Sequence, residues 1–149
     1  MEIKQYTKEK IPDVLRFERE LRIEENSWGW KIDEEYIAAV TSSFDDQRFN
    51  GSLSLLAYVE GKVVGRIDST KIYSHFDGSV KAYLDWICVL KSYRHKGIAQ
   101  ALMSTLRKKL KEQGIDTLIA LIASDEAAQR FYRNIPNAKI KDEGIWIDI

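Results

Sequence analysis

The stretch Asp85-Trp-Ile-Cys-Val-Leu-Lys-Ser-Tyr-Arg-His-Lys-Gly-Ile-Ala-Gln-Ala-Leu-Met103 decides how the rest of the chain is read. Residues 86–90 are apolar or β-favouring throughout, as in a strand buried on both faces. A short basic turn covers residues 91–96, and a helix opens at Gly97. Ile98, Leu102, Leu106 and Leu110 recur at helical spacing, and Gly114 stands where a left-handed C-terminal residue is expected. A strand that empties through a glycine-containing turn into a helix leaves backbone N–H groups unpaired at the positive end of the helix dipole. That is an anion site, and Arg94, His95 and Lys96 add positive charge beside it. The arrangement suits a phosphate-bearing cofactor held by its pyrophosphate.

Two phosphate-binding designs are excluded by spelling. The chain has no G-x-x-x-x-G-K-[ST], and no G-x-G-x-x-G followed by an acidic residue about 20 positions on. It has instead Arg94-x-x-Gly97-x-Ala99. With its buried strand before and amphipathic helix after, this segment resembles the R/Q-x-x-G-x-G/A signature of the GNAT N-acetyltransferases. The resemblance implies that Arg94, His95, Lys96, Gly97, Ile98 and Ala99 cradle the pyrophosphate of acetyl-coenzyme A. A second block, Asp125-Glu-Ala-Ala128-Gln-Arg-Phe131-Tyr132, is similar to the family's N-x-x-A-x-x-[LF]-Y segment. It implies that Tyr132 is the general acid that reprotonates the departing thiolate, and that Asp125 meets the pantetheine arm. Three departures stand out. Asp125 replaces the usual asparagine, Asn134-Ile-Pro-Asn137 replaces a lysine–glycine–phenylalanine ending, and Lys91 takes a position often held by proline.

The composition describes one soluble domain over residues 1–149. Hydrophobic residues make up 44% and the formal net charge is zero, which argues against disorder and against bulk attraction to nucleic acid. The charge is unevenly placed. Residues 13–60 hold 11 acidic and 5 basic residues, net −6, whereas residues 91–111 hold 7 basic and no acidic ones. A polyanionic cofactor at the basic stretch and a cationic acceptor near the acidic one satisfy both, although solvated helix faces account for many of these charges. The single cysteine, Cys88, excludes an intrachain disulfide and a cysteine-based zinc site, and the two histidines suggest no metal centre. No apolar leader or membrane-length run is present, so a cytoplasmic protein with no membrane or nucleic-acid partner is expected.

The remaining elements follow from local signals. A short strand over residues 1–6 precedes a helix begun by Pro12, with Val14, Phe17 and Leu21 on its apolar stripe. Asp33 caps a second helix that buries Tyr36, Val40 and Phe44. Strands over 53–60 and 62–73 meet in a tight hairpin at Glu60-Gly61. The central strand covers 80–90, and an apolar strand 117–123. A short helix capped at residues 124–126 ends near Arg133, and final strands cover 138–142 and 144–149. The order β-α-α-β-β-β-α-β-α-β-β matches that of the GNAT fold: an α/β, mixed and mostly antiparallel sheet, with a parallel strand pair after the pyrophosphate-binding helix and helices on both faces.

Three chemical roles then need residues. A lysine-like acceptor amine has a reference pKa of about 10.4 and is mostly protonated near neutrality. Asp85, at the head of the apolar strand, is the candidate base, since poor solvation would raise its pKa. The same carboxylate could instead bind the ammonium group or pair with an arginine such as Arg66. The Val89 N–H is the candidate oxyanion donor, and Tyr132 either donates the final proton or packs as an aromatic. For the acceptor, the loop after the first helix brings Glu24, Trp28 and Trp30, which suit a cationic amine through charge and cation–π contact. Trp86 borders the same pocket. These residues point to an acetyl-coenzyme A-dependent N-acetyltransferase acting on a small-molecule or peptide amine. A resemblance to aminoglycoside 6′-N-acetyltransferases is the second reading. A catalytically silent acetyl-coenzyme A-binding module and a dinucleotide-binding fold are the other classes. The family's frequent dimers imply a homodimer.

Overall fold

The computed structural model describes residues 1–25, 31–141 and 144–149. The chain forms two compact units, residues 1–119 and 120–149. In order, the elements are β1 (Glu2–Gln5), α1 (Ile11–Glu24), α2 (Glu34–Ser43), β2 (Leu53–Val59), β3 (Lys62–Tyr73), β4 (Val80–Val89), α3 (Ile98–Glu112), β5 (Leu118–Ala120) and α4 (Glu126–Arg133). The five strands form one mixed sheet in the order β1-β2-β3-β4-β5, antiparallel except for the parallel pair β4–β5.

α1 forms because Pro12 sits in its first turn and Ile11, Val14, Phe17 and Leu21 recur on one face, where all four are buried. Full burial of side chains this size stabilises by roughly 1.5–3 kcal/mol each. β2 and β3 meet at Glu60 and Gly61, whose φ angles of 50° and 76° are those of a hairpin turn that follows the strand twist. Successive strand residues point to opposite faces, and two neighbours on β3 show which helix covers which face. A Cβ on Gly65 would lie 3.1 Å from Ile98 and 3.2 Å from Leu102 of α3, while the next side chain, Arg66, reaches Glu18 of α1. The helices therefore cover opposite sides of the sheet, as expected.

Two extra residues interrupt the register of β3. Ala57 pairs with Gly65 and Tyr58 with Val63, which leaves Val64 as a bulge. Asp68 pairs with Trp86 and Ser69 with Leu84, which leaves Asp85 as a bulge on β4. A bulge bends its strand and re-aims a side chain. Asp85 is exposed, so the burial that its expected environment required is absent.

α2 is capped as expected, with the Asp33 carboxylate accepting from the Tyr36 N–H at 2.9 Å. Its apolar face is less covered than expected. No α2 residue is fully buried, and Phe44, just beyond the helix, is 37% exposed. Phe44 packs edge-on against the Tyr6 ring at 4.9 Å rather than entering the core.

In the second unit, the Asp125 carboxylate caps α4 by accepting from the Ala128 N–H at 2.9 Å. The final strands expected over 138–142 and 144–149 do not form among the described residues there. A strand needs a partner ladder for its N–H and C=O groups, and β5 stops at Ala120, short of the expected residue 123. Ile145, Trp146 and Ile147 are accordingly 73–79% exposed.

Candidate active site

β4 delivers the chain into the basic turn. The Leu90 N–H donates to the Val64 carbonyl at 2.9 Å, so the β3 bulge secures the strand end. A 3-10 turn over Lys91–Tyr93 follows, and then His95 and Gly97 adopt left-handed φ angles of 60° and 77°. Gly97 is the N-cap of α3 and supplies no side-chain cap. The first-turn amides, those of Ile98 and Ala99 among them, are thus left to an external acceptor. A Cβ on Gly97 would meet nothing within 4 Å, so the glycine is required by its φ and leaves open the space an anion would occupy.

The turn is braced from α1. The Glu24 carboxylate accepts from the backbone N–H groups of Lys91 and Ser92. Burial acts to raise the pKa of Glu24, but the Lys91 amide, the Ser92 side chain and amide, and the Arg94 charge together outweigh it and hold the carboxyl below its usual value. Arg94 Nε donates to the Val89 carbonyl at 3.1 Å, and its guanidinium pairs with Glu25. Lys96 Nζ donates to the Ser92 carbonyl at 3.2 Å and lies 5.0 Å from the Tyr93 ring centre. Arg94 and Lys96 therefore shape the turn from within, and Glu24 attends the turn rather than an open pocket. Val89 is buried and pairs with Gly65. Trp28 and Trp30 lie outside the described residues.

A second feature lies upstream on the same strand. A cleft of about 300 Å³ is lined by Glu18, Tyr36, Arg66, Asp68, Asp85 and Trp86. Four elements contribute: α1, α2, β3 and β4. Glu18 is 1% exposed, and a carboxylate so buried needs partners. It accepts from the Tyr36 hydroxyl at 2.7 and 2.9 Å and from Arg66 Nη1 at 2.8 Å. Arg66 also donates through Nη2 to Asp68 Oδ1 at 2.9 Å, and its Nε lies 2.7 Å from Asp68 Oδ2. Ser54 Oγ donates to Asp68 Oδ1 at 2.6 Å.

The Arg66 guanidinium lies 5.0 Å from the Tyr6 ring centre and 5.6 Å from that of Trp86, which adds cation–π attraction. Burial acts against its charge, but Asp68 and Glu18 outweigh that and raise its pKa. Burial, helped by the bond to Glu18, pushes the Tyr36 phenol up to about 12, so it stays protonated at neutral pH. Arg66 thus pairs with Glu18 and Asp68, and not with Asp85. Among the described residues Asp85 has no hydrogen bond or ion pair.

Glu18 and Asp68 were not singled out by the sequence reading, which placed Tyr36 only in packing and named Arg66 only as an alternative partner of Asp85. The signals were present: Glu18 interrupts the apolar stripe between Phe17 and Leu21, and Arg66 and Asp68 share one face of the mostly apolar run from Val63 to Asp68. Burial pushes the Cys88 thiol up to about 11, which fits inert packing rather than a nucleophile. In the second unit, Tyr132 lies half-buried on α4, with its ring edge-on to Phe131 at 5.3 Å.

A strand, a left-handed glycine turn and an uncapped helix start stand at residues 80–112, and the Acetyltransferase (GNAT) family profile matches residues 2–135. The chain belongs to the GNAT acetyltransferase family. GNAT enzymes are acyltransferases, and members of the family use acetyl-coenzyme A. Solved structures share the fold at low identity. An aminoglycoside acetyltransferase from an uncultured soil metagenomic sample, in complex with sisomicin, superposes with a TM-score of 0.83 at 17% identity, covering 99% of this chain and 95% of that one. A ribosomal-protein-alanine N-acetyltransferase from Brucella melitensis biovar Abortus 2308 gives 0.75 at 20% identity, covering 100% and 99%. AAC(6′)-Iy in complex with the bisubstrate analogue CoA-S-monomethyl-acetylneamine gives 0.76 at 16% identity, covering 99% and 97%. No curated protein sequence matches the chain.

Proposed function

We propose that this GNAT protein moves the acetyl group of acetyl-coenzyme A directly to a primary amine of a small molecule or peptide, and favours a cationic acceptor. One observation carries the reading: the strand that leads into the uncapped anion turn also carries, on a bulge in an acidic cleft, the Asp85 carboxylate, which has no partner among the described residues. The residues fit the cofactor. The Gly97 turn and the first amides of α3 would hold its pyrophosphate, with His95 beside them. When bound, acetyl-coenzyme A supplies the activated acetyl group.

The chain's own groups then have separate tasks. Asp85 attracts the acceptor ammonium and takes its proton, directly or through water. Its exposure leaves the carboxylate open to an incoming cation. The Val89 N–H steadies the negative charge that develops on the acetyl oxygen. The Tyr132 hydroxyl returns a proton to the departing sulfur, with Asp125 fixing the start of its helix. Trp86 forms the aromatic wall of the acceptor site. A narrower reading, acetylation of an aminoglycoside 6′-amine, is supported by the anionic cleft together with the aminoglycoside acetyltransferases among similar folds.

Coenzyme A release measured over a panel of amines tests the proposal: amine-dependent release with formation of the acetylated amine is expected. Cofactor binding without release on any amine would leave a silent binding module instead. Gly97→Asp places a negative charge and a strained side chain at the turn. It should weaken acetyl-coenzyme A binding by at least about tenfold, or ~1.4 kcal/mol, by calorimetry. Unchanged affinity would remove the turn from the cofactor site.

A further inference from the structure

The family signature places Arg94 beside the pyrophosphate, yet its side chain runs back to β4. Nε donates to the Val89 carbonyl at 3.1 Å, and Nη2 pairs with Glu25. Glu25 is the C-cap of α1, where its own N–H donates to the Leu21 carbonyl at 2.8 Å. The guanidinium thus spans from the end of a helix to the last residue of β4, with its charge answered by Glu25. In an antiparallel pair the N–H and C=O of one residue point to the same edge, and those of the next residue to the opposite edge. The Leu90 N–H donates to Val64 on β3, so the N–H and C=O of Val89 both face away from β3. β5 lies on that side, but it joins at Ala82, whose N–H donates to the Thr117 carbonyl at 2.9 Å, and it ends at Ala120, short of the level of Val89. Arg94 Nε therefore takes the Val89 carbonyl where β5 supplies no rung, on the same edge as the N–H assigned to the acetyl oxygen.

From this we infer that Arg94 is a positioning residue for acetyl transfer. Anchored by Glu25, it fixes the Val89 edge of β4 so that the Val89 N–H meets the acetyl oxygen, and the pyrophosphate is left to the turn amides. The inference rests on the reading of Val89 as the oxyanion donor. A donor aimed at a developing charge works through fixed geometry, and an unheld strand end would let the N–H drift from the oxygen. A guanidinium suits the task because its planar fork holds two partners in set directions, whereas a lysine ammonium is a point charge on a flexible stem. Arg94→Lys therefore keeps the charge near the turn and removes the fork.

Two measurements separate positioning from phosphate contact. The first needs no acceptor: it is the infrared carbonyl band of bound acetyl-coenzyme A carrying carbon-13 at the thioester carbonyl, which a hydrogen bond to the oxygen lowers. In the wild type the band should lie below that of the free thioester, and in Arg94→Lys it should return part of the way. Calorimetric affinity for coenzyme A should meanwhile stay within about twofold. The same band position in both proteins overturns the inference. A wild-type band at the free position overturns the oxyanion reading of Val89 itself, which is a distinct outcome.

The second measurement compares acetyl-coenzyme A with S-acetylpantetheine, which lacks the pyrophosphate, using the panel amine that the wild type acetylates fastest. kcat is counted per coenzyme A-binding site, so that unfolded protein does not contribute. In Arg94→Lys it should fall about tenfold with both donors, the cost of a misaimed group. An unchanged kcat overturns the inference. So does a loss confined to the KM of acetyl-coenzyme A, which would make Arg94 a phosphate ligand. Glu25→Gln leaves Arg94 in place and loosens its anchor, so a smaller fall, again equal for both donors, is expected. Wild-type kcat in that variant would refute the anchor.

Discussion

Gly65→Ala tests the packing that sets the cofactor turn. The added methyl would lie 3.1 Å from Ile98 Cγ2, 3.2 Å from Leu102 Cδ1 and 3.3 Å from Val89 Cγ2, all inside ordinary contact distance. Ile98 and Leu102 are core residues of α3, so the helix must move by a few tenths of an ångström. Overpacking of this kind costs about 1–3 kcal/mol. The smaller entropy of an unfolded alanine offsets about 0.4–1 kcal/mol of that, leaving a net loss of roughly 1–2 kcal/mol. For a chain of this length that lowers Tm by about 3–8 °C. Because Ile98 opens α3, the shift also displaces the amides offered to pyrophosphate, and acetyl-coenzyme A affinity should fall several-fold.

Gly61→Ala is the control for that experiment. Its φ is +76° but its Cβ would meet nothing within 4 Å, so it carries backbone strain of about 1–2 kcal/mol and no helix displacement. Calorimetric melting and acetyl-coenzyme A titration of both variants provide the comparison. Gly65→Ala with wild-type Tm and affinity would refute the argument that this close approach seats the helix.

Three further outcomes are expected. Tyr132→Phe should lower turnover by roughly 10²-fold or more with little change in acetyl-coenzyme A affinity; equal turnover would return Tyr132 to a packing role. Asp85→Asn should lower kcat/KM steeply at neutral pH and recover much of it at high pH, where free amine is abundant, whereas a raised KM with constant kcat would mark an ammonium-binding group only. Glu24→Gln should weaken the hold on the Lys91–Tyr93 turn and lower stability at neutral pH. Because the folded pKa of Glu24 is depressed, the wild-type advantage should be present above the ordinary carboxylate pKa and disappear as pH falls through the lowered one. A denaturation series against pH that shows a constant difference would contradict the brace.

The strand–turn–helix at residues 80–112 was legible because its determinants are local. Helical spacing from Ile98 to Leu110 places the helix, and Gly97 and Gly114 take the left-handed angles at its ends. The resemblance of Arg94-x-x-Gly97-x-Ala99 to a family signature supplied the cofactor that these local signals leave open. The acidic cleft was harder to read because it depends on register between distant segments. Asp85 stands on a bulge only relative to β3, and Arg66 meets Glu18 only once α1 lies across the sheet. Local signals likewise misplaced the last two strands, since an apolar segment shows what a strand would favour and not whether a partner edge exists. Glu24 was read as a loop carboxylate facing the acceptor; its engagement by two turn amides emerges only where α1 ends against the turn.

In the proposed mechanism the anion turn and the acidic cleft form one acetyl-transfer site. The rate of coenzyme A release from acetyl-coenzyme A, as each of a panel of cationic amines is titrated at neutral pH, tests it. A saturable, amine-dependent rate accompanied by the acetylated amine is expected. A rate that does not depend on the amine, or no acetylated product at any concentration, would contradict it.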